Sequence, residues 1–333
     1  MRTGNEMTTK TIVQAVHDTL DAEMARDERV ILMGEDVGKA GGVFLATEGL
    51  QARFGPQRVI DAPLSELGIV GIAIGAAAAG LHPIAEIQFA DFIFPAFDQI
   101  VNEAAKMRYR SNNTWTCPMV IRTPYGGGIH GGLYHSQSVE AFFCHVPGLQ
   151  VVAPATPYDA KGLLSAAIRA ADPILFLEHK KIYRSVKGPV PDEDYVIPIG
   201  CAEVKRTGSD LTAISYGAML HETMTAAERL AGEGIDVEVV DLRTLSPLDR
   251  ETILASVHKT AKVCIIHEDT RTMGLGAEIA ALITEEAFLD LDAPVRRVTG
   301  PDLPGIPFYE AGENAFLPNA DKIAIALREL AAY

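Results

Sequence analysis

The 333-residue chain is 48% hydrophobic and 22% charged, a globular composition that excludes a mainly disordered or fibrous state. Its 29 basic and 44 acidic residues give a net charge of −15. Such a surface repels phosphate backbones, so nucleic acid is not an expected partner, and the length predicts about two domains.

Residues 1–10 lack an apolar core and read as a frayed tail, not a signal peptide. That places the chain in a bacterial-type cytoplasm, or in the mitochondrial matrix if it is a processed form. Apolar runs then alternate with helical patterns. Strands are predicted at 30–33, 59–61, 84–89, 119–122, 150–153 and 174–178, with helices at 11–26, 65–80, 95–108 and 159–170. Short apolar strands separated by helices imply a parallel sheet covered on both faces, joined by right-handed crossovers. The longest nearly uncharged run, 67–85, is rich in Ala and Gly and is broken by His82-Pro83. It is too weakly apolar to span a membrane and reads as a buried helix followed by a strand.

Residues 187–199 hold Gly188, Pro189, Pro191 and Pro198 with Asp192, Glu193 and Asp194, the composition of a linker. The alternation then restarts, with strands at 211–215, 237–241, 263–267 and 295–298 and helices at 219–232, 249–260, 276–288 and 321–331. The division is therefore a tail 1–10, a larger domain 11–186, a linker 187–199 and a smaller α/β domain 200–333. Residues 200–333 carry 12 basic and 22 acidic side chains, a net of −10, against 17 and 22, a net of −5, before them. The acidic excess is either a solvated face or a surface for a basic partner. Cys117, Cys144, Cys201 and Cys264 have no metal-type spacing and read as reduced thiols.

Three polar or glycine-rich stretches follow strands, where open α/β sheets bind ligands. Gly34-Glu35-Asp36-Val37-Gly38 with Gly41-Gly42 lacks both the G-x-G-x-x-G fingerprint and the P-loop lysine, and its acids oppose an anion, so it reads as a turn. Pro63–Gly68 opens the Ala/Gly helix, with Ser65 or Asp61 as cap and Glu66 in the first turn. Glu66 is either a dipole-matched surface residue or a carboxyl held in an apolar setting, able to keep a proton. The run 125–138 holds five glycines with His130 and His135. No carboxylate stands nearby until Glu140, which disfavours zinc and leaves acid, base or anion-donor roles. His267-Glu268-Asp269, also after a strand, reads as catalytic or as interface.

The run Glu86-Ile87-Gln88-Phe89-Ala90-Asp91-Phe92-Ile93-Phe94-Pro95-Ala96-Phe97-Asp98-Gln99-Ile100 resembles the beta subunit of the thiamine-diphosphate-dependent decarboxylase component of 2-oxoacid dehydrogenase complexes. So do 63–68, 133–138 and Asp241-Leu242-Arg243-Thr244, and the likeness runs over nearly the whole chain from Thr9. The branched-chain type is most similar, on Tyr134-His135-Ser136-Gln137-Ser138-Val139-Glu140-Ala141-Phe142-Phe143. Phe92 stands where that type often carries Tyr, and Val139 replaces a common Pro.

The resemblance implies a transketolase-like pyrimidine-binding domain with a parallel doubly wound sheet, followed by a smaller α/β C-terminal domain. It implies an alpha2-beta2 heterotetramer with thiamine diphosphate between alpha and beta chains. Magnesium would sit in an alpha-chain Gly-Asp-Gly motif, which this chain lacks; a structural potassium ion is compatible with the family. Glu66 would share a proton with a pyrimidine nitrogen, with Leu64, Gln88 and Phe89 lining that pocket. His135 would assist acyl transfer to a lipoyl group, and Phe92, His130 and Tyr134 would line the substrate channel. The reaction would be oxidative decarboxylation of branched 2-oxoacids with reductive acylation of a lipoyl-bearing acyltransferase core, whose basic binding domain suits the acidic second domain. The alternatives are a pyruvate or acetoin dehydrogenase beta subunit and, in another class, a two-domain nicotinamide-dependent oxidoreductase. The absence of G-x-G-x-x-G from the loop after the first predicted strand opposes the last.

Overall fold

The computed structural model describes residues 7–333, and the chain divides into two compact units. Unit one comprises Met1–Tyr125 and Phe142–Ile199; unit two comprises Gly126–Ala141 and Gly200–Tyr333.

In unit one the strands are β1 Met7–Thr11, β2 Val30–Gly34, β3 Val59–Asp61, β4 His82–Glu86, β5 Val120–Tyr125, β6 Gln150–Val152, β7 Ile174–His179 and β8 Lys187–Pro191. Six of them lie in the order β6-β7-β5-β4-β2-β3, every pair parallel. β2, β5 and β7 are buried at every residue, as their near-continuous apolar runs require of strands covered on both faces. The Ile12–Arg26 helix starts with a reciprocal capping box between Thr11 and Gln14. The Pro157–Arg169 helix starts with the Thr156 hydroxyl as cap and Pro at its first position. Both motifs satisfy or remove backbone donors left without partners at a helix start.

Four expectations change. Of the tail 1–10, residues 1–6 lie outside the described residues, but Met7–Thr11 is a strand, antiparallel to β8 with Met7 opposite Pro191. The first part of the proposed linker 187–199 is thus also strand. Its prolines hid it, because proline is tolerated only where no ladder hydrogen bond is needed, and a two-stranded ribbon has such edges. The helix expected at 95–108 is broken: Gln99–Ala104 is wound as a π-helix and Met107–Arg110 follows separately. There the Ala105 N–H reaches back five residues to the Ile100 carbonyl at 3.0 Å. Finally, the Glu66–Ala78 helix is not buried all round. Ile69, Val70, Ala73, Ile74 and Ala77 face inward, while Leu67 and Ile72 remain 49% and 62% exposed.

Unit two contains β9 Glu203–Arg206, β10 Leu211–Ser215, β11 Val237–Asp241, β12 Thr244–Ser246, β13 Val263–Thr270 and β14 Arg296–Gly300. The sheet order is β14-β13-β10-β11-β9, parallel except for the antiparallel edge strand β9. The helices Ala218–Ala231, Arg250–Thr260, Leu275–Ala287 and Ala320–Ala331 pack on it, burying Ala226, Leu230, Ile253, Ile279, Ile283, Ile323 and Leu327. The segment Gly126–Ala141 groups with this unit, although the sequence reading set 11–186 as one domain. It is drawn there by hydrogen bonds to residues more than a hundred positions away, described below. Cys117 and Cys264 are buried and all four cysteines are free thiols; burial pushes both buried thiols up to about 12. Among the described residues no helix is long and apolar enough to cross a membrane.

Candidate active site

In unit one the chain passes from β2 to β3 on one side, then to β4 on the other. The switch point lies between β2 and β4, where parallel sheets open a crevice at the carboxyl ends of their strands. The segments leaving those strands carry Glu35, then Leu64 to Glu66, then Gln88 to Phe92. Ser65 Oγ accepts the Gly68 N–H at 3.2 Å, fixing the helix start with Glu66 in its first turn. Burial raises the Glu35 pKa, and the charges of Asp36 and Glu66 add to it. Neighbouring carboxylates discourage an anion and suit a group that brings a hydrogen-bond donor.

Beside them stands an aromatic group. The Phe89 ring centroid lies 5.6 Å from Phe44 and 5.5 Å from Phe92, both edge to face. Phe44 lies 5.2 Å from Tyr183, and Lys180 Nζ is 5.6 Å from the Phe89 centroid. Beneath lies a buried ionic network. Arg122 donates from Nε and Nη2 to Glu178 at 2.6 and 2.9 Å, and from Nη1 to Glu86 at 2.7 Å. The Tyr183 hydroxyl donates to Glu178 at 2.5 Å. Burial holds the Glu86 carboxyl above its ordinary range and raises Tyr183 well above its own. A Cβ on Gly42, at φ +76°, would stand 3.0 Å from Glu86 Oε1.

Of the expected pocket residues, the structure brings Phe89 and Phe92 into contact. Glu66, Gln88, Phe89 and Phe92 are partly exposed, and Leu64 is 74% exposed.

His130, Tyr134 and His135 lie in unit two, on the Gly126–Ala141 segment. Its base closes where the Gly126 N–H donates to the Gln137 carbonyl at 2.9 Å. Glu268 Oε1 accepts the Gly127 N–H at 2.5 Å and the Ser138 hydroxyl at 3.4 Å. Glu313 accepts the N–H groups of Gly128 at 2.7 Å and His130 at 3.1 Å, and its Oε2 lies 2.6 Å from His130 Nδ1. At the far end the Tyr216 hydroxyl donates to Glu140 at 2.7 Å. Burial, with the nearby charge of Asp269, pushes the Glu140 carboxyl up to about 8, and burial moves Asp269 up to about 6. Tyr134 and His135 border a cavity of about 500 Å³ together with Leu133, Ile306, Phe308 and Tyr309. Among the described residues no group of three or more His, Cys, Asp or Glu could hold a metal.

His267, read as catalytic or interfacial, is fully buried in unit two. Burial and the charge of Arg297 bring its pKa down to about 4, so it is neutral. Glu268 holds the loop instead. The sequence did not single out Arg122, Glu178, Lys180 or Glu313. Arg122 and Glu178 are charged residues within apolar strands, a signal that could have been read. Glu313 lies in a polar helix and carries no such signal.

Transketolase, pyrimidine binding domain, matches residues 8–186, and Transketolase, C-terminal domain, matches 200–323. The chain is 55% identical over 327 residues to the 2-oxoisovalerate dehydrogenase subunit beta of Bacillus subtilis strain 168, covering 98% of this chain and 100% of that one. It is 49% identical over 324 residues to the pyruvate dehydrogenase E1 component subunit beta of the same organism, covering 97% and 99%. Among solved structures, a split gene transketolase described as an inactive beta4 tetramer aligns with TM-score 0.79 at 25% identity, covering 97% of this chain and 98% of that one.

Proposed function

The chain belongs to the beta-subunit family of thiamine-diphosphate-dependent 2-oxoacid dehydrogenases, and from that premise we propose that it is the beta half of a branched-chain enzyme. It would act in oxidative decarboxylation of acids such as 3-methyl-2-oxobutanoate and in reductive acylation of a lipoyl group. The higher identity to the 2-oxoisovalerate subunit favours this substrate class over pyruvate by a small margin. A pyruvate or acetoin enzyme is the second reading.

The observation that supports the half-site is an exposed apolar face beside Glu66. Glu66 starts a helix whose neighbouring apolar residues Leu64, Leu67 and Ile72 are 74%, 49% and 62% exposed. An apolar face of this kind beside a carboxylate suits coverage by a partner chain. That partner is the alpha subunit of an alpha2-beta2 heterotetramer, with the acidic unit two offered to a basic domain of the acyltransferase core.

The residues present fit the pyrimidine half of thiamine diphosphate. Glu66 offers a carboxylate to a ring nitrogen, and Leu64, Gln88 and Phe89 offer a flat, mostly apolar wall. The anionic diphosphate finds no such fit beside the acids Glu35 and Glu66, and with its magnesium it falls to the alpha chain. The bound cofactor would supply the nucleophile and the electron sink. Glu66 holds and shares a proton at the ring nitrogen, in a site that becomes apolar once the partner covers it. His135 donates a hydrogen bond or a proton during acyl transfer to the lipoyl sulfur. Phe92, His130 and Tyr134 would keep the substrate-channel role that the family resemblance implies. The surroundings are a bacterial-type cytoplasm; the bacterial relatives lend no support to the matrix alternative.

The test is co-purification with a candidate alpha chain, then decarboxylation of 3-methyl-2-oxobutanoate and of pyruvate with thiamine diphosphate and magnesium. Faster turnover of the branched acid, only with both chains present, is the expected result. Preference for pyruvate would move the protein to the sister enzyme. Glu66→Gln should lower the rate at least about 100-fold, the scale of a lost proton-transfer group. Near-normal activity would remove that role.

A further inference from the structure

We propose that Glu313 is a positioning residue that holds the glycine-rich loop in the shape presenting His135. The inference rests on the reading of His135 given above. Glu313 lies in the short helix Glu310–Phe316, and its side chain is only 1% exposed. A carboxylate so deeply buried needs full compensation for its lost water. Here a backbone turn supplies much of it. Gly128 N–H meets Oε1 at 2.7 Å, His130 N–H meets Oε2 at 3.1 Å, and His130 Nδ1 meets Oε2 at 2.6 Å.

Gly128 and His130 have φ of +83° and +59°. Alternation of left-handed with ordinary conformations turns successive N–H groups toward one point, the geometry of an anion nest. A residue with a Cβ resists that conformation, so His130 needs the contacts it makes with Glu313. The nest is therefore filled by the chain's own carboxylate. Gly127 allows the approach, since a Cβ there would stand 3.3 Å from Glu313 Oε1 and 3.1 Å from Ile306.

The link to His135 is short. Gly131 follows His130, and a Cβ on Gly131 would stand 2.7 Å from the His135 carbonyl oxygen and 2.8 Å from its Cβ. The limb fixed by Glu313 thus packs directly on the backbone of His135. Glu268 and the Gly126–Gln137 hydrogen bond fix the loop's two ends. Glu313 fixes the part between them.

The experiment uses the reconstituted heterotetramer and two readouts: acylation of a lipoyl domain and decarboxylation with a soluble dye acceptor. Glu313→Gln keeps the volume but removes the charge and puts an amide N–H against the nest. Acylation should fall at least tenfold and the dye rate by much less. In a His135→Ala background Glu313→Gln should cost nothing further, because it acts through His135; additive losses would overturn the proposal. If His135→Ala itself costs nothing, the reading of His135 fails separately. Amide exchange at residues 127–130 then decides: faster exchange in Glu313→Gln supports the clamp, and unchanged exchange overturns it. If Glu313→Gln does not assemble, Gly128→Ala, which strains the left-handed residue whose N–H Glu313 accepts, should give the same split between the two rates, and its absence would overturn the proposal.

Discussion

Arg122 and Glu178 meet through two parallel hydrogen bonds, Nε to Oε1 at 2.6 Å and Nη2 to Oε2 at 2.9 Å, with both side chains at most 2% exposed. The same guanidinium also reaches Glu86, so one buried cation on β5 serves two buried carboxylates on the flanking strands β4 and β7. β4 ends at Glu86, two residues before Gln88. The network therefore anchors the backbone from which the proposed cofactor wall departs.

Removing that cation strands two carboxylates. Arg122→Met should destabilise the protein by about 3–5 kcal/mol, the cost of breaking a buried pair from one side. The loss should shrink on acidification, because protonation neutralises carboxyls that have lost their cation. Urea midpoints at pH 7.5 and 5.5 check this; a loss below about 1 kcal/mol would remove the network from the list of major supports.

Glu140 makes stability fall with rising pH. Its folded carboxyl titrates at about 8 against an ordinary 4.5, so the folded state holds a proton that the unfolded state releases between those values. The cost is absent below pH 4.5, grows above it and is complete above about pH 8. Glu140→Gln keeps an acceptor for the Tyr216 hydroxyl and should flatten the decline between pH 6 and 8, by up to about 1.4 kcal/mol per pH unit. An unchanged slope in chemical denaturation would contradict the assignment.

His267 acts in the opposite direction. Its folded pKa of about 4 lies below the ordinary 6.5, so the unfolded state binds a proton that the folded state refuses. Stability therefore rises from pH 4 to pH 6.5 on this account. His267→Phe should weaken that acid sensitivity, read as a smaller change of melting temperature between pH 4.5 and 6.5.

Gly131 tests how closely the loop is built around His135. A methyl group there would stand under 3.0 Å from the His135 carbonyl oxygen and Cβ and from Ser136 Oγ. Gly131→Ala should displace His135 and lower lipoyl acylation at least tenfold while shifting the urea midpoint little. Equal loss of stability and activity would point to a general packing defect.

Much of the frame was legible in the sequence. The apolar runs at Val59–Asp61, Leu211–Ser215 and Val237–Asp241 gave those strands with their observed bounds, because period and composition report burial locally. Glu66 at a helix start was legible from Ser65 and the Ala/Gly run that follows. The exposed side of that helix was not, since a helix apolar all round does not say which face its own chain covers.

What only the tertiary structure decided is which distant residues meet. β1 pairs with β8 across most of unit one, Arg122 finds Glu178 56 residues away, and the Gly128 N–H finds Glu313 185 residues away. The sequence by itself determined the alternation of strands and helices, because side-chain period is a local property of the backbone. The identity of a buried charge's partner is not local. It depends on which strand ends and loops the folded backbone carries to the same place, and only there does the loss of water make each pairing necessary.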